Sequence, residues 1–278
     1  MIHWQVPSEP EPRLLHTSWG SALYADISKS IGQAIWRTGV YDLAVSEALC
    51  RLAAPGSLVV DVGANIGYMS LLASRSVGLK GTVVAFEPNP GICALLRDNV
   101  QVASGAAIKG GQIDVRPLAL GACRQITKLY VPQGFADNDG LATLQQPTAG
   151  DFESKDVEVS TLDDEFDLRQ RISVLKLDVE GFEKAVLEGA QSLLRGGRID
   201  AIIFEDHDVE NSGVVDLLNS YGYYTLSVGW HLTGPSAIKG VSRLAKPYEP
   251  QNYIASQNAT KVLAALKARG WRVLRPLS

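Results

Sequence analysis

Cysteine is scarce in this chain: Cys50, Cys93 and Cys123 are all there is among 278 residues. The count is odd and no two share CxxC spacing, so neither a disulfide framework nor a zinc site is indicated, and buried neutral thiols are the expectation. Basic clusters are missing too. No run of Lys and Arg exceeds two residues and the net charge is −4. Binding to phosphate backbones needs clustered cations, so nucleic acid is not an expected partner. No apolar run approaches the roughly 18 residues of a membrane span, and residues 1–11 lack a basic start followed by an apolar core. A cytoplasmic protein with no membrane partner is therefore expected. Internal repeats and low-complexity linkers are absent as well. What remains, 46% hydrophobic and 20% charged residues, suffices for one α/β domain with a sizeable core or for two small ones.

The chain is organised around Val59-Val60-Asp61-Val62-Gly63-Ala64-Asn65-Ile66-Gly67-Tyr68-Met69-Ser70. An apolar run breaks into an acid and two glycines and resumes at helical spacing, which predicts strand, tight turn and helix. Such a turn places backbone N–H groups and a helix N-terminus at the carboxyl edge of a sheet, where open α/β folds bind nucleotide-like cofactors. The dinucleotide fingerprint G-x-G-x-x-G wants glycine where Asn65 stands. Asp61 points the same way: a carboxylate there would repel a pyrophosphate, yet suits the ammonium group of an amino-acid moiety. S-adenosylmethionine carries that group and no phosphate. Thr82 to Pro88 reads as a second strand ending in Glu87, twenty residues past Gly67, placed to accept both ribose hydroxyls. Helix capping is the alternative role for Asp61 and Glu87.

From Leu58 onward strands and helices alternate, the pattern of a doubly wound, mostly parallel sheet. Strands are predicted at 58–62, 82–86, 113–117, 172–178, 199–204, 223–228 and 252–255, with helices near 66–77, 90–101, 181–195, 212–221 and 259–269. Ahead of them, residues 1–12 read as an extended arm, 22–36 as an amphipathic helix with Leu23, Ile27, Ile31 and Ile35 every four residues, and 45–52 as another helix. Residues 1–45 thus form an arm and helical cap, and 46–278 a second, larger domain. Between Lys128 and Val159 the pattern loosens into hairpin strands or an irregular excursion. Leu118-Ala119 is placed to lie over an adenine ring, or else merely packs. Residues 229–249, with Trp230, His231, Lys239, Arg243 and Lys246, read as a long loop able to cover an acceptor.

Ionisable side chains collect where consecutive strands end: Asp178 and Glu180 after the fourth predicted strand, Glu205 and His207 after the fifth. If those strands are neighbours, the four groups face one cleft. Methyl transfer to an alcohol is an in-line displacement that needs the acceptor oxygen close and its proton removed. His207, with an ordinary pKa of about 6.5, is the natural base. Asp178 orients it or the substrate. The same groups also suit Mg²⁺ through hard oxygen ligands, although no tight ligand motif is present and a metal-free site is preferred. Glu47, shortly before the first sheet strand, is a weaker candidate for the cofactor's methionine end, an exposed helix acid being the alternative.

Asp61-Val62-Gly63-Ala64-Asn65-Ile66-Gly67-Tyr68, Phe86-Glu87-Pro88, Leu175-Lys176-Leu177-Asp178-Val179-Glu180-Gly181-Phe182-Glu183 and Ile203-Phe204-Glu205 together resemble the FkbM-type S-adenosylmethionine-dependent methyltransferases. The resemblance spans about residues 45–228. It implies a Rossmann-like class I methyltransferase, with a seven-stranded sheet whose last strand is antiparallel, and O-methylation of hydroxyls on sugars, polyketides or other secondary metabolites. By resemblance Asp61, Gly63, Asn65, Gly67 and Glu87 fall at cofactor positions, and Asp178 and Glu180 beside the reaction centre; Ala64, Pro88 and Asn89, next to them in the chain, are expected to join the cofactor site. The partner implied is a small hydroxylated molecule, and a homo-oligomer stays open. A nicotinamide-dependent oxidoreductase and an inactive cofactor-binding module are the competing readings.

Overall fold

A computed structural model describes residues 11–105, 110–132, 142–146, 151–206, 209, 211–241 and 251–277. The central strands are β3 (Leu58–Val62), β4 (Thr82–Phe86), β9 (Ile172–Leu177) and β10 (Ile199–Glu205). They are near-continuous apolar runs because helices cover both faces of a parallel sheet. All six residues of β9 are buried. With β5 (Gln112–Arg116), β11 (Tyr224–His231), β12 (Gly234–Lys239) and β13 (Asn252–Ser256) they form an eight-stranded sheet in the order β12-β11-β13-β10-β9-β3-β4-β5. β13 runs antiparallel to both β10 and β11, the place implied for the last strand of a class I methyltransferase.

The eighth strand is a correction to the expected seven. It comes from the stretch read as a covering loop: Trp230 and His231 end β11, Gly234 turns the chain at φ 144°, and β12 pairs back antiparallel. Lys239 ends this hairpin at the sheet edge; Arg243 and Lys246 lie outside the described residues.

The predicted first helix is also corrected. Residues 12–16 and 22–26 form an antiparallel hairpin, β1 and β2, and only then does α1 (Ser30–Thr38) begin. Four is a multiple of both the strand period and, nearly, the helix period. Leu23, Ala25 and Ile27 are buried by alternation, and Ile35 by the helix. Between them Asp26 Oδ1 accepts the Ser28 N–H at 2.8 Å, a turn that ends the strand. α2 (Leu43–Leu52) follows, and these N-terminal residues share one core with α3 (Tyr68–Val77) and β3. Pro12, the last residue of the expected arm, starts β1, and residues 1–10 lie outside those described.

On the other face α6 (Glu183–Glu188), α7 (Gln191–Arg195) and α8 (Val214–Ser220) pack against β9 and β10. The single helix expected over 181–195 is broken at Gly189, where a Cβ would lie 2.0 Å from the Gly121 carbonyl oxygen. That approach docks a small sheet, β6 (Ala119–Leu120), β7 (Gln125–Pro132) and β8 (Phe152–Ser160), which is the expected hairpin. Of the three free thiols Cys50 and Cys93 are buried, whereas Cys123 is exposed. No helix among the described residues is long and apolar enough to cross a membrane.

Candidate active site

Strand order reverses between β3 and β9, and ligands in open α/β sheets bind at such a switch point, outside the carboxyl ends of the strands. A cavity of about 300 Å³ opens there. Its floor is the turn after β3. Gly63 and Asn65 hold φ of 75° and 49°, and a Cβ on Gly63 would lie 1.9 Å from the Asp178 carbonyl oxygen. Asn65 occupies a left-handed position that asparagine tolerates better than most residues, which explains why glycine is not required there. Gly63, Ala64 and Asn65 all line the cavity. Gly67 does not; a Cβ there would lie 2.3 Å from Leu96 Cδ1, so its absence makes room for that side chain.

Glu87 ends β4 and lines the cavity with Pro88. Its two oxygens accept the Asn65 and Asn89 N–H groups, each at 2.9 Å, and burial pushes its carboxyl up to about 7 despite those bonds. Asn89 itself is a helix cap, its Oδ1 accepting the Gly91 N–H of α4 (Pro90–Ser104). Leu118 and Ala119 line the far end with Leu120, Leu129, Ala142 and Leu144, an apolar slot.

Besides Gly67 and Asn89, which do not line the cavity, two more cofactor expectations are revised. Asp61 is 1% exposed and stands behind the cavity wall: Ser70 Oγ donates to its Oδ2 at 2.6 Å, and Lys176 Nζ, from the facing residue of β9, lies 3.4 Å from its Oδ1. Glu47 is neither exposed nor at the cavity. It is fully buried, paired with Arg51 at 2.6 Å, and its Oε2 accepts the N–H groups of Arg272 and Val273. A carboxylate so committed fastens the C-terminal segment to α2 instead of meeting a ligand.

The reaction-side acids do converge. Asp178, Glu180 and Glu205 line both the first cavity and an adjoining one of about 590 Å³. Asp178 is about a third exposed, and its Oδ2 accepts from Lys176 Nζ at 3.1 Å. Glu180 is held at φ 48°, a left-handed strain of the kind that collects at functional sites. Burial, then the Asp178 charge, pushes Glu180 up to about 7; burial, then Asp178, Glu180 and Asp42, pushes Glu205 up to about 8. Asp206 accepts from Ser212 Oγ at 2.5 Å. His207 lies outside the described residues. Among the described residues no group of three or more His, Cys, Asp or Glu is arranged to hold a metal ion.

Sequence reasoning missed Tyr41 and Lys176, both of which line the first cavity. Lys176 did carry a signal: a lysine inside a wholly apolar strand must find buried carboxylates. Burial alone would lower its pKa, but Asp178 and Asp61 outweigh it, and the ammonium is held well above the usual range. Tyr41 carried none.

The chemistry of the cavity wall selects among cofactors. Among the described residues its only cation, Lys176, is already engaged by two carboxylates, while Glu87, Asp178, Glu180 and Glu205 are all acidic. That wall repels a pyrophosphate and suits a ligand with a positive centre and a ribose. S-adenosylmethionine fits it.

The chain is similar to known methyltransferases. The sequence model of the methyltransferase FkbM domain matches residues 61–224. The hexuronic acid methyltransferase AglP of Haloferax volcanii is 30% identical over 193 residues, covering 67% of this chain and 72% of that protein. The 31-O-demethyl-FK506 methyltransferase FkbM of Streptomyces tacrolimicus is 31% identical over 194 residues, covering 61% and 73%. Among solved structures, an FkbM methyltransferase from Methylobacillus flagellatus is similar at a TM-score of 0.46 and 17% identity; the alignment covers 73% of this chain and 44% of that one.

Proposed function

This chain belongs to the FkbM family of methyltransferases, and from that membership we propose that it moves the methyl group of S-adenosylmethionine onto a hydroxyl of a small metabolite, a sugar unit or a natural product. The observation that carries the reading is the acid cluster at the junction of two cavities. Asp178, Glu180 and Glu205 belong to both walls, so a hydroxyl entering from the larger cavity meets a carboxylate where it meets the donor.

S-adenosylmethionine, when bound, supplies an electrophilic methyl group on a positive sulfur. The protein's part is to place the acceptor and to take its proton. Glu87 would hold the ribose hydroxyls, the Gly63–Asn65 turn would follow the donor's backbone-sized centre, and the Leu118–Leu120 slot would take the adenine. Glu205, with a carboxyl near 8, is the base best matched to neutral pH. Burial, and then the charges of Asp178 and Glu180, keep it basic. The names of the two relatives, one for a hexuronic acid and one for a demethylated FK506, support hydroxylated acceptors of either kind. The glycine turn with Asn65 and the acid-lined wall argue against a nicotinamide cofactor.

Glu205→Gln tests the assignment. Isothermal titration should show S-adenosylhomocysteine binding as in the parent, while transfer of labelled methyl to hydroxylated acceptors falls by about 10²- to 10⁴-fold. An unchanged rate would remove Glu205 as the base, and a parent protein that binds no S-adenosylhomocysteine would refute the reading altogether.

A further inference from the structure

Tyr41 lies on the loop between α1 and α2, outside the stretch matched by the family, yet it lines the same cavity as Gly63, Asn65, Asp178 and Glu205. The loop is built to hold it still. Its carbonyl oxygen accepts from Ser46 Oγ at 2.5 Å, and its ring meets Tyr68 edge-on, with centroids 6.0 Å apart at 84°. Tyr68 is fixed in turn by Trp19, whose Nε1 donates to the Tyr68 hydroxyl at 3.0 Å. Next to Tyr41, Asp42 adopts φ 39° and is secured by the Val45 N–H at 3.0 Å and the Asn252 amide at 3.2 Å. A side chain framed this way has lost its freedom before any ligand arrives, which is how a binding group gains affinity.

The frame leaves the hydroxyl itself unused: no described residue hydrogen-bonds it. Burial, and next the charge of Asp178, push the phenol far above its ordinary value, so it keeps its proton and acts as a donor at every working pH. Lys176 is the only cation lining the cavity among the described residues. Its ammonium meets Asp61 and Asp178 and has a third proton to give. A free phenol O–H and an ammonium, in a wall whose other charged groups are all carboxylates among the described residues, mark a place where a small carboxylate is welcome. Asp61, the group expected to serve the donor's amino-acid end, does not reach the cavity.

We propose that Tyr41 donates its hydroxyl proton to the carboxylate at the amino-acid end of the methyl donor, beside the Lys176 ammonium. A residue of the N-terminal segment thereby completes a site whose remaining residues lie in the shared domain. The inference rests on S-adenosylmethionine being the donor, and two probes separate the questions. S-adenosylhomocysteine has the amino-acid end; 5′-methylthioadenosine keeps the nucleoside and thioether but lacks it. Tyr41→Phe preserves the ring and its contact with Tyr68. By isothermal titration the variant should bind S-adenosylhomocysteine roughly tenfold more weakly than the parent, the worth of one hydrogen bond to a charged group, while its affinity for 5′-methylthioadenosine stays the same. Equal weakening of both compounds, or no change in either, would overturn the role of Tyr41. A parent protein that binds neither compound would overturn the donor reading, and the inference with it.

Discussion

Glu87 offers a test in which protonation and binding are directly linked. To accept both ribose hydroxyls its carboxyl must be ionised, since a protonated carboxyl gives up acceptor capacity. Burial holds that carboxyl near 7. At pH 6 about 9% of the free protein would carry the ionised form and at pH 8 about 91%, so affinity for S-adenosylhomocysteine should rise about tenfold across that interval. Titration calorimetry at pH 6, 7 and 8, in two buffers of different ionisation enthalpy, would also show a proton released on binding at pH 6 that is absent at pH 8. Glu87→Gln removes the titrating group and should flatten the dependence while weakening binding at pH 8. Glu180 and Glu205 titrate in the same window, which makes that variant essential. If it kept the full tenfold dependence, the ribose role of Glu87 would be refuted.

Two further outcomes follow from buried charge. The carboxyls of Glu87, Glu180 and Glu205 are all raised from about 4.5 to 7 or 8; groups raised in the folded state favour folding below their unfolded value and lose that contribution as pH climbs through the folded one. The ligand-free protein should therefore melt at a lower temperature at pH 9 than at pH 5.5, with Glu87 alone accounting for roughly 2 kcal/mol; a melting temperature that rises over this range in differential scanning calorimetry would contradict the assignment. Glu47→Ala leaves Arg51 buried without its partner and frees the Arg272 and Val273 N–H groups, so urea denaturation should show a loss of about 3–5 kcal/mol. The folded fraction should still bind S-adenosylhomocysteine as the parent does, and a selective loss of binding would return Glu47 to the site.

The parallel sheet was legible because its strands are buried on both faces and so read as apolar runs; Val59, Val60 and Val62 announce β3, and the whole of Ile172–Leu177 announces β9. The turn at Gly63–Asn65 was legible because few residues accept a left-handed backbone. The hairpin at 12–26 was not, since Leu23 and Ile27 satisfy strand and helix spacing equally and only the turn at Asp26 decides. β12 was hidden in the same way by a stretch rich in turn residues. At the site, residues that end strands could be placed by order alone, as Asp178, Glu180 and Glu205 were. Whether a carboxylate faces ligand or lysine is a matter of side-chain partners, and so Asp61 and Glu47 were misread. Tyr41 comes from a loop whose position depends on contacts with Tyr68, Ser46 and Asn252, none of them near it in pattern.

The stitching of the C-terminal segment bears on how the protein acquires its shape. Ser18 bonds the Val273 carbonyl across 255 residues, Arg51 reaches the Ala268 and Gly270 carbonyls, and Arg75 meets the carbonyl of Leu277. Closing loops of that size before their contacts reward it is slow. These bonds hold α2 and the residues ahead of it, and hence the loop that carries Tyr41. In a refolding experiment the parallel sheet would form first and the front of the ligand cavity last. Recovery of ligand affinity would then trail recovery of secondary structure, and the interval between the two would time the arrival of the chain's final residues.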